Sequence, residues 1–159
     1  MTKNFCKKLV TAALLAALTC VATALVRVPS PAKGYLNLGD CVVLVTGWAL
    51  SPVYGFLASG LGSAMADVFS GYAVYAPATF VIKGLMAMVV SFVVRKKLPL
   101  GLLACAAEIL MVLGYFGFEG FLYGLETAAV NIPANAVQGT AGLTLGCAAV
   151  KVLKKNRIS

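Results

Sequence analysis

The sequence predicts an all-α membrane protein of six transmembrane helices, with the N and C termini in the cytoplasm. Three observations carry this prediction. Apolar residues make up 61% of the 159 and charged ones 11%, whereas a soluble domain is roughly a quarter charged and about half apolar. The apolar residues gather into runs of the length that crosses about 30 Å of hydrocarbon. The cations stand in short clusters between those runs, which is a topology signal rather than a nucleic-acid stripe.

Each span is justified by its limits. Leu9 to Val26 is the first run, preceded by Lys3, Lys7 and Lys8 and ended by Pro29, Pro31, Lys33 and Gly34. A Lys-rich start, an apolar run and Ala22-Thr23-Ala24 also fit a secretory signal with a small-residue cleavage site. The run is longer than a usual signal core, so a helical anchor is expected. Leu38 to Phe69 is apolar but interrupted at Ser51-Pro52, which predicts two short helices and a tight turn. Pro77 to Val94 forms the fourth span, with Pro77 at a first helical position where its missing N–H costs nothing. Leu98 to Phe118 is the fifth and Ala128 to Val150 the sixth. The whole of 1–159 reads as one domain.

Six spans place Lys3, Lys7, Lys8, Arg95, Lys96, Lys97, Lys151, Lys154, Lys155 and Arg157 on one face, and the positive-inside rule makes that face cytoplasmic. Arg27 and Lys33 remain on the other face, with Asp40, Asp67, Glu119 and Glu126 near it. Counting Leu38 to Phe69 as a single span would put Arg95 to Lys97 outside.

Much chemistry is excluded. With no histidine, His-based acid–base catalysis and His metal ligation are absent. Cys6, Cys20, Cys41, Cys105 and Cys147 are far apart without a C-x-x-C pair, so free thiols are expected and no metal site or cofactor. No G-x-x-x-x-G-K motif offers a nucleotide site.

The informative residues are polar ones inside spans, because a buried charge demands a partner, water or a function. Lys83 lies about two turns into span four and Glu108 near the middle of span five. They form either an ion pair joining two helices or part of a polar cavity that meets a ligand. Asn131, Asn135, Gln138 and Gly142 share one face of span six, where amides suit a heterocycle's edge or bond neighbouring helices. Asp67 ends span three, and Asp40 begins span two, where it is expected to cap the helix. Trp48, Tyr54, Tyr115 and Tyr123 read mostly as interfacial aromatics, while Tyr35, Tyr72 and Tyr75 also suit stacking on a planar ligand. Lys83, Asn131, Asn135, Gln138 and Asp67 fall in one half of the spans with Glu108 at its floor, which predicts a cavity open to the outside. Ala12, Ala13, Ala16 and Ala17 give span one a flat small-residue face suited to docking another protein.

Three segments carry a family resemblance: G-Y-L-N-L-G-D from Gly34 to Asp40, S-x-x-x-D at Ser63 and Asp67, and S-G-Y-A-V-Y-A-P-A-T-F-V-I-K from Ser70 to Lys83. With the alanine-rich span one and Asn131-Ile132-Pro133 opening span six, the chain resembles the substrate-binding S components of energy-coupling factor transporters, in their riboflavin-type branch. The resemblance implies capture of a vitamin from outside and association with a transmembrane coupling protein and two cytoplasmic ATPases in the bacterial plasma membrane. It implies that Ala12, Ala13, Ala16 and Ala17 contact the coupling protein and that the loop carrying Tyr35 and Asn37 covers the ligand. It also points to Lys83, Glu108 and Asn135 as ligand groups. The chain is shorter than typical riboflavin binders, so pyridoxine, a thiamine precursor such as hydroxymethylpyrimidine, and thiamine stay open beside riboflavin. Two other classes also fit the residues: a structural or assembly subunit without ligand, and a small intramembrane enzyme with Glu108 as base.

Overall fold

The computed structural model describes residues 3–30, 34–96 and 98–156. Pro31, Lys33, Lys97 and Arg157, and the side chain of Lys3, lie outside the described residues. Among the described residues six helices form: α1 Lys3–Leu25, α2 Gly39–Ala49, α3 Pro52–Phe69, α4 Ala76–Arg95, α5 Leu100–Tyr123 and α6 Leu125–Asn156. Between α1 and α2 a small hairpin pairs β1 Val28–Pro29 antiparallel with β2 Tyr35–Leu36.

Local chemistry sets the boundaries. Leu50 and Ser51 adopt extended backbone before Pro52, as a residue preceding proline prefers, and Pro52 then opens α3. Between α5 and α6 the chain turns on Gly124, whose φ of 89° favours a residue without Cβ. The fifth helix therefore continues to Tyr123, past the Phe118 limit expected from the apolar run, and carries Glu119 inside it.

α1, α4, α5 and α6 are each long and apolar enough to cross a membrane. α2 is not: its 11 residues span about 16 Å at about 1.5 Å each. It is nevertheless the most enclosed helix, packed against α1, α3, α4 and α6. Val43 and Leu44 on α2 join Met86 and Val90 on α4 and Ala104 and Met111 on α5 in one core. Ser91 Oγ donates to the Leu50 carbonyl at 2.7 Å and so satisfies a carbonyl where α2 stops. α1 lies at the periphery and approaches α3 at Gly62, where a Cβ would fall 2.3 Å from the Ala16 carbonyl oxygen. The outward faces are apolar, with Leu14, Val53, Leu113 and Val137 all exposed, as suits surrounding lipid rather than water.

The two ends of the bundle differ in charge. Trp48, Val94, Pro99, Lys151 and Lys154 line one cleft, which places the ends of α2, α4 and α6 together. Ala12 packs against Leu50 while Gly39 abuts Thr23, so α1 runs antiparallel to α2 and its exposed Lys7 and Lys8 lie at that same end. The opposite end holds the hairpin and a layer of buried polar groups.

Candidate functional site

The site begins with the segment between α1 and α2, which enters the bundle instead of crossing its surface. Its hairpin and the turn after it are latched by side chains. Tyr35 Oη donates to Asp67 Oδ1 at 2.6 Å, and the Asn37 backbone N–H donates to Gln138 Oε1 at 2.9 Å. Ser30 Oγ donates to Asn131 Oδ1, and Asn37 Oδ1 accepts the Gly39 N–H at 2.9 Å. Irregular backbone at this depth is tolerated only where protein satisfies its polar groups, as Gln138 and the Asn37 side chain do for the Asn37 and Gly39 N–H groups. The Tyr35 ring lies 4.7 Å from that of Tyr72.

Because this segment descends, α2 starts deep, and its first turn meets the middle of α4. Lys83 Nζ pairs there with Asp40 Oδ1, and Gln138 Nε2 donates to Asp40 Oδ2 at 2.7 Å. Lys83 is 1% exposed and Asp40 0%. The Lys83 ammonium also sits 5.5 Å from the Tyr115 ring centroid, within cation–π range, and Tyr115 Oη lies 3.0 Å from Thr79 Oγ1.

This geometry corrects two expectations. Asp40 does not cap α2: Leu38 holds the N-cap position without a side-chain cap, and the Asp40 side chain turns into the bundle. The Lys83 partner is Asp40 and not Glu108. Glu108 approaches the same point from α5, over Gly142, where a Cβ would lie 2.5 Å from Asp40 Cβ and 3.0 Å from Glu108 Oε1. Only glycine permits both carboxyl groups to reach that face of α6. Glu108 is buried, yet neither of its carboxyl oxygens has a hydrogen-bond partner.

Above the Lys83–Asp40 pair, at the hairpin end, lies a cavity of about 30 Å³ lined by Ser30, Gly34, Tyr35, Asn37, Asp67, Tyr75, Thr79, Tyr115, Glu119 and Asn135. That is space for a water or two; the hairpin closes a cavity that the sequence had suggested would be open. Glu119, expected near the surface, is buried in its wall, accepting from Asn131 Nδ2 at 2.9 Å and from Tyr75 Oη at 3.3 Å. Tyr75 packs on Tyr72, Tyr115, Phe118 and Tyr123, so the aromatics form one cluster beside the cavity rather than a peripheral belt.

Tyr35, Asn37, Asp67, Tyr75 and Asn135 thus come together in the lining, with Lys83 beneath. Asn131 and Gln138 border it but bond the hairpin segment, α2 and α5. Glu108 stands apart, facing a groove between α5 and α6 with Ile109, Leu113, Gly139 and Leu143. Ser30, Thr79, Tyr115 and Glu119 were not singled out from the sequence as site residues. Glu119 was detectable, because it repeats the face of Glu108 three helical turns later. The alanine face of α1 is divided: Ala12 is buried against Leu50 and Ala58 and Ala16 half-buried at Gly62, while Ala13 and Ala17 remain exposed.

A helical bundle with an apolar exterior, cations at one end and a latched polar chamber at the other is built as a membrane-embedded solute-binding protein. The chain matches the family model described as ECF-type riboflavin transporter, S component, over residues 3–155, and it belongs to that family. It is therefore the substrate-capturing subunit of an ECF-type transporter, a multi-pass membrane protein that serves transport rather than enzymatic turnover. A relative from Pyrococcus woesei, described as "Uncharacterized protein in gap 3'region", is 37% identical over 139 residues, which is 85% of this chain and 93% of the relative.

Proposed function

We propose that the chain acts as one six-helix substrate-binding domain that captures a small water-soluble vitamin or precursor, of the riboflavin, pyridoxine, hydroxymethylpyrimidine or thiamine class, from outside the cell. Uptake is driven by ATP through a transmembrane coupling protein and two cytoplasmic ATPase subunits in the plasma membrane. The observation that carries the reading is the polar chamber under the latched hairpin, at the end opposite the exposed cations. Placing Lys7, Lys8, Arg95, Lys96, Lys151, Lys154 and Lys155 in the cytoplasm directs the chamber outward. With the short α2 completed to a crossing by the segment that descends before it, and the 18-residue α3 counted as a crossing, there are six spans and cytoplasmic termini.

In this reading Tyr35 and Asn37 cover the ligand, Tyr75 stacks beside it, and Asp67 and Asn135 bond its polar edge. Asn135 lines the chamber while its side chain makes no hydrogen bond to a described residue. Asn131 and Gln138 exchange their bonds to the hairpin segment for bonds to ligand as it opens. Lys83 forms the floor with Asp40, and Glu108 supports that floor from α5. The exposed Ala13 and Ala17, with Ala12 and Ala16 beneath them, form the face that meets the coupling protein.

Native mass spectrometry of the purified protein, with and without a vitamin panel, tests this. A bound vitamin mass that is lost in Asn135→Ala is the expected result. A protein that carries no small molecule and ignores the panel would overturn it in favour of a ligand-free assembly subunit.

A further inference from the structure

The chain has a net charge of +8, but its interior has the opposite sign. It has five acidic residues in all, and four of them, Asp40, Asp67, Glu108 and Glu119, are buried inside the bundle. Among the residues whose side chains are described, Lys83 is the only buried cation; the remaining lysines and arginines are exposed. Lys83 is committed to Asp40, which leaves Asp67 and Glu119 as the ionisable acids of the chamber wall, and no described residue lining the chamber is cationic.

The acids are not simply satisfied by the fold. Asp67 is 4% exposed and lines the chamber; its Oδ1 holds Tyr35, but its Oδ2 is buried without a hydrogen-bond partner. A buried acceptor without a donor leaves its desolvation uncompensated, the more so if charged, so a ligand donor there is favoured. An anion in the same place would be desolvated with no cation among the described lining residues to meet it.

From this we infer that the chamber selects proton-donating, neutral or cationic ring compounds and rejects their phosphate esters. This inference rests on the vitamin-capture reading and adds a charge rule to it. Among the described residues, a terminal phosphate on a ligand under the hairpin is either enclosed beside Asp67 and Glu119 or holds Tyr35 off Asp67. Both routes weaken binding.

The test is isothermal titration of the full-length protein in detergent with three pairs: riboflavin and riboflavin 5′-phosphate, pyridoxine and pyridoxine 5′-phosphate, thiamine and thiamine monophosphate. For whichever parent binds, the ester is expected to bind at least on the order of 100-fold more weakly. That ratio is expected to narrow in Asp67→Asn/Glu119→Gln; should this variant fail to fold, the ratio on the unmodified protein decides alone. Parent and ester binding within a few-fold of one another would overturn the charge rule while leaving vitamin capture standing. Binding of no member of any pair would overturn the capture reading itself, and the charge rule with it.

Discussion

Replacing Lys83 by Met tests the floor of the chamber most directly. The substitution keeps the length of the side chain and removes its charge, leaving Asp40, which is fully buried, with Gln138 as its remaining partner. Removing one member of a buried ion pair costs about 3–5 kcal/mol, because the other charge is left uncompensated. For a chain of this length each kcal/mol lowers the melting temperature by about 2–4 °C, so a fall of about 6–20 °C is expected in detergent. Adding Asp40→Asn removes the orphaned charge and retains an acceptor for Gln138 Nε2; Lys83→Met/Asp40→Asn is expected to recover more than half of the loss. Glu108→Gln removes no hydrogen bond and is expected to shift stability by under about 1 kcal/mol. Melting followed by the fluorescence of Trp48 reads these variants, and Asp40→Asn alone, beside the unmodified protein. If Glu108→Gln costs as much as Lys83→Met while Asp40→Asn costs nothing, the ammonium is held by Glu108 and the assignment of Asp40 is wrong.

Three further outcomes follow from the same geometry. Gly62→Ala forces a Cβ against the Ala16 carbonyl and is expected to cost about 1–3 kcal/mol, whereas Gly101→Ala, with nothing within 4 Å, should leave the melting temperature unchanged or slightly raised. Tyr35→Phe removes a hydrogen bond to a carboxylate worth about 1.5–3 kcal/mol, so ligand release in stopped-flow should quicken by about 10- to 150-fold. Ala13→Leu/Ala17→Leu, on exposed positions of α1, should leave melting unchanged but abolish co-purification with the coupling protein.

The sequence was most informative where local chemistry decides structure. The break at Ser51-Pro52 was legible because proline constrains the residue before it, and the clustering of cations was legible because charges cannot stay in hydrocarbon. Pairing was not legible. Lys83 and Glu108 are the cation and anion nearest the middle of their spans, and one-dimensional depth offered them as partners in one of the two readings the sequence left open. What moved the pair to Asp40 is the descent of the segment before α2, and descent depends on side chains distant in sequence, Asn131, Gln138 and Asp67, that hold it down. Asp40 looked like a cap for the same reason: a helix assumed to start at the surface needs one, and a helix that starts inside a bundle finds a cation. Glu119 was misplaced because a carboxylate at the end of an apolar run reads as the end of the span, while α5 carries it inward to Asn131 and Tyr75.

The same descent explains why this chamber can open without dismantling the bundle. Had α2 been a full-length helix, exposing the polar layer would have meant separating packed helices, at about 25 cal/mol for each Å² of apolar surface exposed. Instead the half of the bundle above Asp40 is closed by a two-residue-strand hairpin held through Ser30, Tyr35 and Asn37. Hydrogen bonds of this kind contribute about 0.5–3 kcal/mol each, so releasing three costs about 2–9 kcal/mol, and the apolar core of α2, α4 and α5 stays intact. A chamber of about 30 Å³ admits no vitamin ring, since ligand sites run to about 300 Å³ and more; on the proposed reading the hairpin therefore moves to admit one. Ligand binding on the proposed reading is an exchange: Asn131 and Gln138 release the hairpin segment and bond the solute, which must return at least the free energy of those two latches. A solute that bonds only the aromatic cluster cannot do so. Selection by polar edge rather than by ring area is the consequence, and the unbonded Asp67 Oδ2 and the open Asn135 amide are where that edge is read.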